Sequence, residues 1–179
     1  MQKFTTLPGF VSAKKNTRVK KIKRILGIDP GLASTGFGVI DCKDNTYRMV
    51  SYGVIETKAG CPHGERLLAL YNRLCAIIDE FRPDEASIET LYFAKNVSSA
   101  MTVSEARGVV TLCFSQHAIP LAEYTPNEIK LSVTGTASAD KALVEKYVKL
   151  LLALETEAKP DHASDALAGA LTHIHHTAL

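Results

Sequence analysis

The 179-residue chain has no tryptophan, and aromatic residues make up only 7% of it. No apolar run approaches the roughly 18 residues that a membrane span needs, and no apolar signal-peptide core follows the first lysine. The four cysteines (Cys42, Cys61, Cys75, Cys113) form no CxxC pair and no metal-type spacing. A disulfide scaffold is therefore excluded, and reduced thiols in the cytoplasm are expected. Acid is missing from residues 1–24, which carry eight basic groups: Lys3, Lys14, Lys15, Arg18, Lys20, Lys21, Lys23 and Arg24. The remaining residues hold 13 basic against 19 acidic groups. A flexible basic arm ahead of a mildly acidic body points to a polyanionic partner. With 46% hydrophobic and 22% charged residues, the chain can bury one substantial core, and its length suits a single domain over 25–179.

Residues 24–29 form a short apolar strand stopped by Pro30-Gly31. Residues 35–41 and 47–56 read as two more strands, with no helix between, so an antiparallel meander is expected. Helical spacing of Leu67, Leu70, Leu74, Ile77, Ile78 and Phe81 predicts a helix over 65–81. A fourth strand at 84–89, a long helix at 96–117 and a short strand at 120–124 follow. Thr125-Pro126-Asn127-Glu128 is a capping-box helix opening. Ser138 is expected to cap the next helix, running to about Leu154, and Asp161 the last, running to about His175. Three strands followed by alternation give a mixed five-stranded sheet flanked by helices, in the α/β class.

Three acids stand where propensity does not explain them. Asp29 and Glu89 each end an apolar strand, where a carboxylate costs burial energy unless a metal or donor meets it. Sites in open α/β sheets form beyond the carboxyl ends of strands, so both acids can face one crevice. His162 and Asp165, three apart, share a face of the last helix, with the apolar stripe Ala163, Leu167, Ala170, Leu171 and Ile174 on a different one. Mg²⁺ or Mn²⁺ suits such oxygen-rich donors, and the four are enough to hold two ions about 4 Å apart across a phosphodiester, one activating water and one stabilising the leaving 3′ oxygen. Two other patterns carry less. Gly31 and Gly36 have phosphate-loop spacing, but Phe37-Gly38 follows in place of Lys-Ser/Thr. The histidines at 173, 175 and 176 read as a frayed helix end.

The segments ILGIDPGLASTGFGVI (25–40), SIETLYFAKN (87–96), EARGV (105–109), YTPNEIKLSVTGTASADK (124–141) and DHASDALAGALTH (161–173) resemble, in order, the RuvC family of Holliday-junction resolvases. The resemblance implies an RNase H-like fold, a homodimer, symmetric paired nicks in four-way junction DNA, and RuvA and RuvB as branch-migration partners. It implies that Asp29, Glu89, His162 and Asp165 are the catalytic metal ligands, with Mg²⁺ as cofactor and Mn²⁺ able to substitute. Family members carry Asp or His at the position of His162; an imidazole there lowers the negative charge and favours Mn²⁺. Tyr92 is implied to stack on a base near the crossover, and Lys130 and Lys141 to contact phosphate. Lys95 and Arg107 are weaker DNA-contact candidates that could instead support the dimer. The chain departs from the family pattern in its basic stretch 1–24, in Gly135-Thr-Ala137 where Gly-x-Gly is common, and in lacking the basic C-terminal tail of some relatives, whose role on DNA the basic arm is expected to take. Two rival functions remain at this point: another RNase H-like nuclease, and a junction-binding protein that recruits others without cutting. A sugar-kinase-type fold also opens with an Asp-x-Gly strand, but needs a much longer chain.

Overall fold

The computed structural model describes residues 22–90 and 97–177. Tyr92 and Lys95 lie outside them. Three consecutive strands, β1 (Lys23–Asp29), β2 (Ser34–Lys43) and β3 (Thr46–Glu56), form the expected antiparallel meander. Asp44 and Asn45, both at positive φ, turn β2 into β3, a backbone region that suits these two residue types. Helix α1 (His63–Phe81) then leads to β4 (Glu85–Glu89), α2 (Val97–Gln116) and β5 (Leu121–Tyr124). Helices α3 (Pro126–Thr134), α4 (Lys141–Leu151) and α5 (Asp161–Thr177) follow. The sheet order is β3-β2-β1-β4-β5, with β4 parallel to both β1 and β5.

Period-two alternation divides β1 and β4 between two cores. Leu26, Ile28, Ala86 and Ile88 pack with Leu70, Leu74, Val110 and Phe114 under α1 and α2. Ile25 faces the opposite layer, with Val148, Leu167 and Leu171 from α4 and α5. Each fully buried leucine or isoleucine contributes about 1.5–3 kcal/mol on transfer from water. Gly27 and Asp29 share the face of Ile25, so the strand turns its one carboxylate toward α5.

A glycine seat brings α5 unusually near the sheet. A Cβ on Gly27 would lie 2.0 Å from the Ala166 carbonyl oxygen, and one on Gly36 would lie 1.9 Å from that of His162. Helix α5 is buried on nearly every side, from Ala163 to Ile174 apart from Asp165. The expected separation into one apolar stripe and one open face therefore does not hold. Sheet residues cover one side, and α3 and α4 cover the other.

Several local expectations change. Lys23 and Arg24, grouped above with the basic arm, belong to β1. The Arg24 guanidinium grips Asp41 across β2 at 2.7 and 3.0 Å and donates to the Phe81 carbonyl at 2.8 Å. This hydrogen bond holds the Asp41 carboxyl below its ordinary range against the opposing effect of burial. Asp140, not Ser138, caps α4, its side chain accepting from the Leu143 N–H at 2.8 Å, and α4 ends at Leu151. Asp161 is the first helical residue of α5 rather than its cap, ion-paired to Lys141 and Lys159. Two of the C-terminal histidines, His173 and His175, are packed, while His176 is exposed. His173 is buried between the Tyr124 hydroxyl (2.9 Å) and Glu85 (2.6 Å), and His175 meets Ser132 at 3.0 Å. The capping box of α3 is present as expected.

The seat makes a prediction about two glycines. Gly36→Ala should cost about 3 kcal/mol of stability, the upper end of core overpacking. Gly64→Ala, with nothing near its added carbon, should be neutral or gain up to about 1 kcal/mol of helix propensity. Urea midpoints of the two variants check this.

Candidate active site

Beyond the ends of β1 and β4 the fold gathers charge. Ile28 pairs with Ile88 in the parallel register, so Asp29 and Glu89 stand side by side on strands about 4.8 Å apart. The α5 seat lowers His162 onto the same spot. Its Nδ1 donates to Asp29 Oδ2 at 2.6 Å, which leaves Nε2 facing away. Asp165, one turn along, completes a set in which ligand atoms of Asp29, His162 and Asp165 all lie within 4.8 Å of one another. The Asp29 side chain is 18% exposed and that of His162 is 50% exposed, so the set has a buried floor and an open rim.

Electrostatics here resist full ionisation. Burial raises the Asp29 pKa, the His162 hydrogen bond holds it back, and the charge of Asp165 adds to the rise. Glu89 is pushed up to about 7, by burial first and then by Asp29 and Asp165, while Lys130 and Lys141 pull the other way. A group of carboxylates that resist losing their protons is the environment a divalent cation relieves. Three carboxylates and one imidazole make a mostly hard donor set, which fits Mg²⁺ or Mn²⁺ better than a thiophilic ion.

The cationic candidates differ in placement. Lys141 Nζ lies 3.1 Å from Asp165 and 3.3 Å from Asp161. Burial opposes its charge, but these carboxylates outweigh that and raise its pKa. Lys130, on α3, stands near enough to influence Glu89. Arg107 points inward from α2, donating to the Glu89 backbone carbonyl at 2.6 Å and pairing with Glu123 at 2.5 Å. It fixes the strand end that carries Glu89. Tyr92 and Lys95 lie outside the described residues, so no geometry bears on them.

Two features escaped the sequence. A cleft of 280 Å³ opens beside His162, lined among others by Ser34 and Arg66. Arg66, held by Thr57 Oγ1 at 2.9 Å, is a cation at its wall. Nothing in the pattern distinguishes it from any arginine in a first helical turn. The positioning contact of Arg107 was equally hidden, since a carbonyl acceptor leaves no mark in residue type.

Folding raises the pKa of Glu89, so the folded protein retains a proton that the unfolded chain releases above the ordinary 4.5. Metal-free protein should therefore lose stability as pH climbs from 4.5 through 7. Glu89→Gln should leave the thermal midpoint unchanged at pH 4 and raise it at pH 8, measured in chelator.

Comparison with known proteins gives the same assignment along nearly the whole described chain. A family model described as crossover junction endodeoxyribonuclease RuvC matches residues 25–173. The chain is similar to proteins of that name from Treponema denticola, at 50% identity over 163 residues, 91% of this chain and 89% of that one. It is likewise similar to one from Chloroflexus aurantiacus, at 48% over 150 residues, covering 84% and 92%. Among solved structures, Thermus thermophilus RuvC superposes with TM-score 0.81 at 29% identity, over 87% of this chain and 95% of that one. T. thermophilus RuvC in complex with Holliday junction substrate gives 0.82 at 30%, over 86% and 94%. The five-stranded mixed sheet is thus the RNase H-like sheet that the five motifs implied. Since the match begins with β1 and runs into α5, it takes in every strand and helix that supplies an acid: the chain belongs to the RuvC family of crossover junction endodeoxyribonucleases.

Proposed function

We propose that this chain is a structure-selective endonuclease that resolves four-way junction DNA by symmetric paired nicks, in homologous recombination and DNA repair. The observation that carries the reading is the convergence of Asp29, His162 and Asp165 within ligating distance, beside the end of the strand bearing Glu89. Products would carry 5′-phosphate and 3′-hydroxyl ends.

Asp29, Glu89, His162 and Asp165 are the residues that would hold the metal, with Mg²⁺ as cofactor, two ions per subunit, and Mn²⁺ as substitute. When bound, the cation supplies an activated water and stabilisation of the leaving 3′ oxygen. The chain contributes the rest. Asp29 and Glu89 are fixed by neighbouring strands, which sets their spacing without side-chain search. Arg107 holds the backbone of Glu89. Lys141 neutralises Asp165 in the free protein and is within reach of a phosphate arriving at the same cluster. Lys130 offers a second cation at this end of the sheet, Tyr92 is the proposed contact at the crossover, and Lys95 is a weaker candidate that touches DNA or supports the dimer.

A homodimer places two such sites about a two-fold axis, which matches the symmetry of a junction. Supporting it, α2 exposes Met101 and Leu112 along one face, beside a groove of 620 Å³. RuvA and RuvB are the proposed partners. No helix among the described residues is long and apolar enough to cross a membrane, and the cytoplasm is the proposed compartment. The recruiting-protein alternative is disfavoured because a protein that only binds DNA gains nothing from mutually repelling buried acids.

Incubation with a synthetic four-way junction and a matched linear duplex, in Mg²⁺ and Mn²⁺ separately, tests the reading. Paired nicks on the junction alone are expected, with Asp29→Asn reducing the rate by about 10³-fold or more. Tight binding without nicks in either metal would favour the recruiting protein. The basic stretch is proposed to grip DNA backbone. Deleting residues 1–22 should weaken junction affinity and flatten its dependence on salt, read from binding at several salt concentrations.

A further inference from the structure

A second group of metal-type donors lies on the opposite side of the sheet from α5, where α1 meets α2. Ligand atoms of Cys75, Cys113 and His117 lie within 4.8 Å of one another. Cys75 and Asp79 stand four residues apart on α1, so they occupy one helical face; His117, the first residue past α2, still donates its N–H to the Cys113 carbonyl at 3.2 Å and so stays one turn along from Cys113. The two faces meet: the sulfurs are 3.3 Å apart, His117 Nδ1 is 3.9 Å from Cys113 Sγ, and Asp79 Oδ1 is 4.0 Å from His117 Nε2. Cys113 is fully buried, Cys75 is partly so, and Asp79 sits at the solvent edge.

We propose that Cys75, Cys113 and His117 bind a zinc-type divalent cation that fastens α1 to α2, with Asp79 accepting a hydrogen bond from the far side of the imidazole. Two thiolates and an imidazole select a borderline-soft ion, the reverse of the preference at the acid cluster. Distances decide between this and a disulfide. Tetrahedral bonds of about 2.3 Å hold two sulfurs about 3.8 Å apart, so the pair must part by about 0.5 Å. A disulfide needs about 2.0 Å, a closure of more than 1 Å.

The protons balance as follows. Both thiols release theirs to solvent on binding. His117 Nδ1, which now donates to the Cys113 carbonyl at 2.7 Å, becomes the ligand as the ring turns, and its proton is carried instead on Nε2, facing Asp79. Binding therefore weakens in acid. The ion has a structural task. Arg107, six residues before Cys113 on α2, holds the Glu89 carbonyl, and anchoring α2 fixes that contact.

The test uses the full chain, reduced with a phosphine, stripped with chelator, and titrated with Co²⁺ and then Zn²⁺. A thiolate-to-cobalt charge-transfer band saturating at one equivalent is expected, displaced by Zn²⁺, together with a zinc-dependent rise in thermal midpoint that chelator reverses. The acid cluster has no sulfur and cannot give this band. Cys75→Ser, at a partly exposed position, should abolish it, and Asp79→Asn should weaken cobalt binding about tenfold. Folded, reduced wild type with neither band nor midpoint rise overturns the proposal whatever the variants do. So does a band that Cys75→Ser leaves intact, or an oxidised pair that forms while the reduced pair takes up no metal.

Discussion

The approach of α5 to the sheet is the constraint on which the acid cluster depends. Helices ordinarily rest on side chains; here the backbone of α5 rests on backbone, because Gly27 and Gly36 leave no Cβ in the way. That steric fact sets the height of His162 and Asp165 above β1 and so the 2.6 Å contact between His162 and Asp29. It also accounts for the alanines that run through the buried part of α5, Ala163, Ala166, Ala168 and Ala170, since a larger side chain between the Gly27 and Gly36 contacts would lift the helix off its seat.

A cost accompanies this closeness. Three carboxylates share a half-buried space, and the protein meets the repulsion with Lys141, Lys130 and the imidazole of His162 rather than by spreading the acids apart. Arg107 works by geometry instead. It touches the backbone of Glu89 and the carboxylate of Glu123, so its charge stabilises a strand end as well as a side chain. Charge neutralisation and positioning are thus divided between different residues, from different layers of the fold.

Much of the architecture was legible in the chain. The periodicities at 24–29, 35–41 and 47–56 led to the meander, and the lone acids at the ends of two apolar strands led to Asp29 and Glu89. Side-by-side placement of those acids followed from strand-end logic, because β1 and β4 are parallel neighbours. What failed had physical causes. The single apolar stripe expected on α5 assumed one buried face, whereas α3 and α4 cover the other. Ser138 was a good capping residue two residues early, and Asp140 won because its carboxylate accepts from the Leu143 N–H. The histidines near the end read as a frayed tip, but partners far away in sequence, Glu85 and Ser132, hold two of them. Long-range partners of this kind are invisible to local pattern.

Helix α5 is the last of the described elements, yet it touches every strand of the sheet. Its contact with Asp29 closes a separation of 133 residues. During synthesis, β1 to β5 and the first four helices emerge while the seat on Gly27 and Gly36 is still bare. An unfinished chain therefore has Asp29 and Glu89 but neither His162 nor Asp165, and one side of its sheet has no central helix to cover it. The acid cluster therefore assembles only after α5 has been made and seated, so the order in which residues are made sets when it forms.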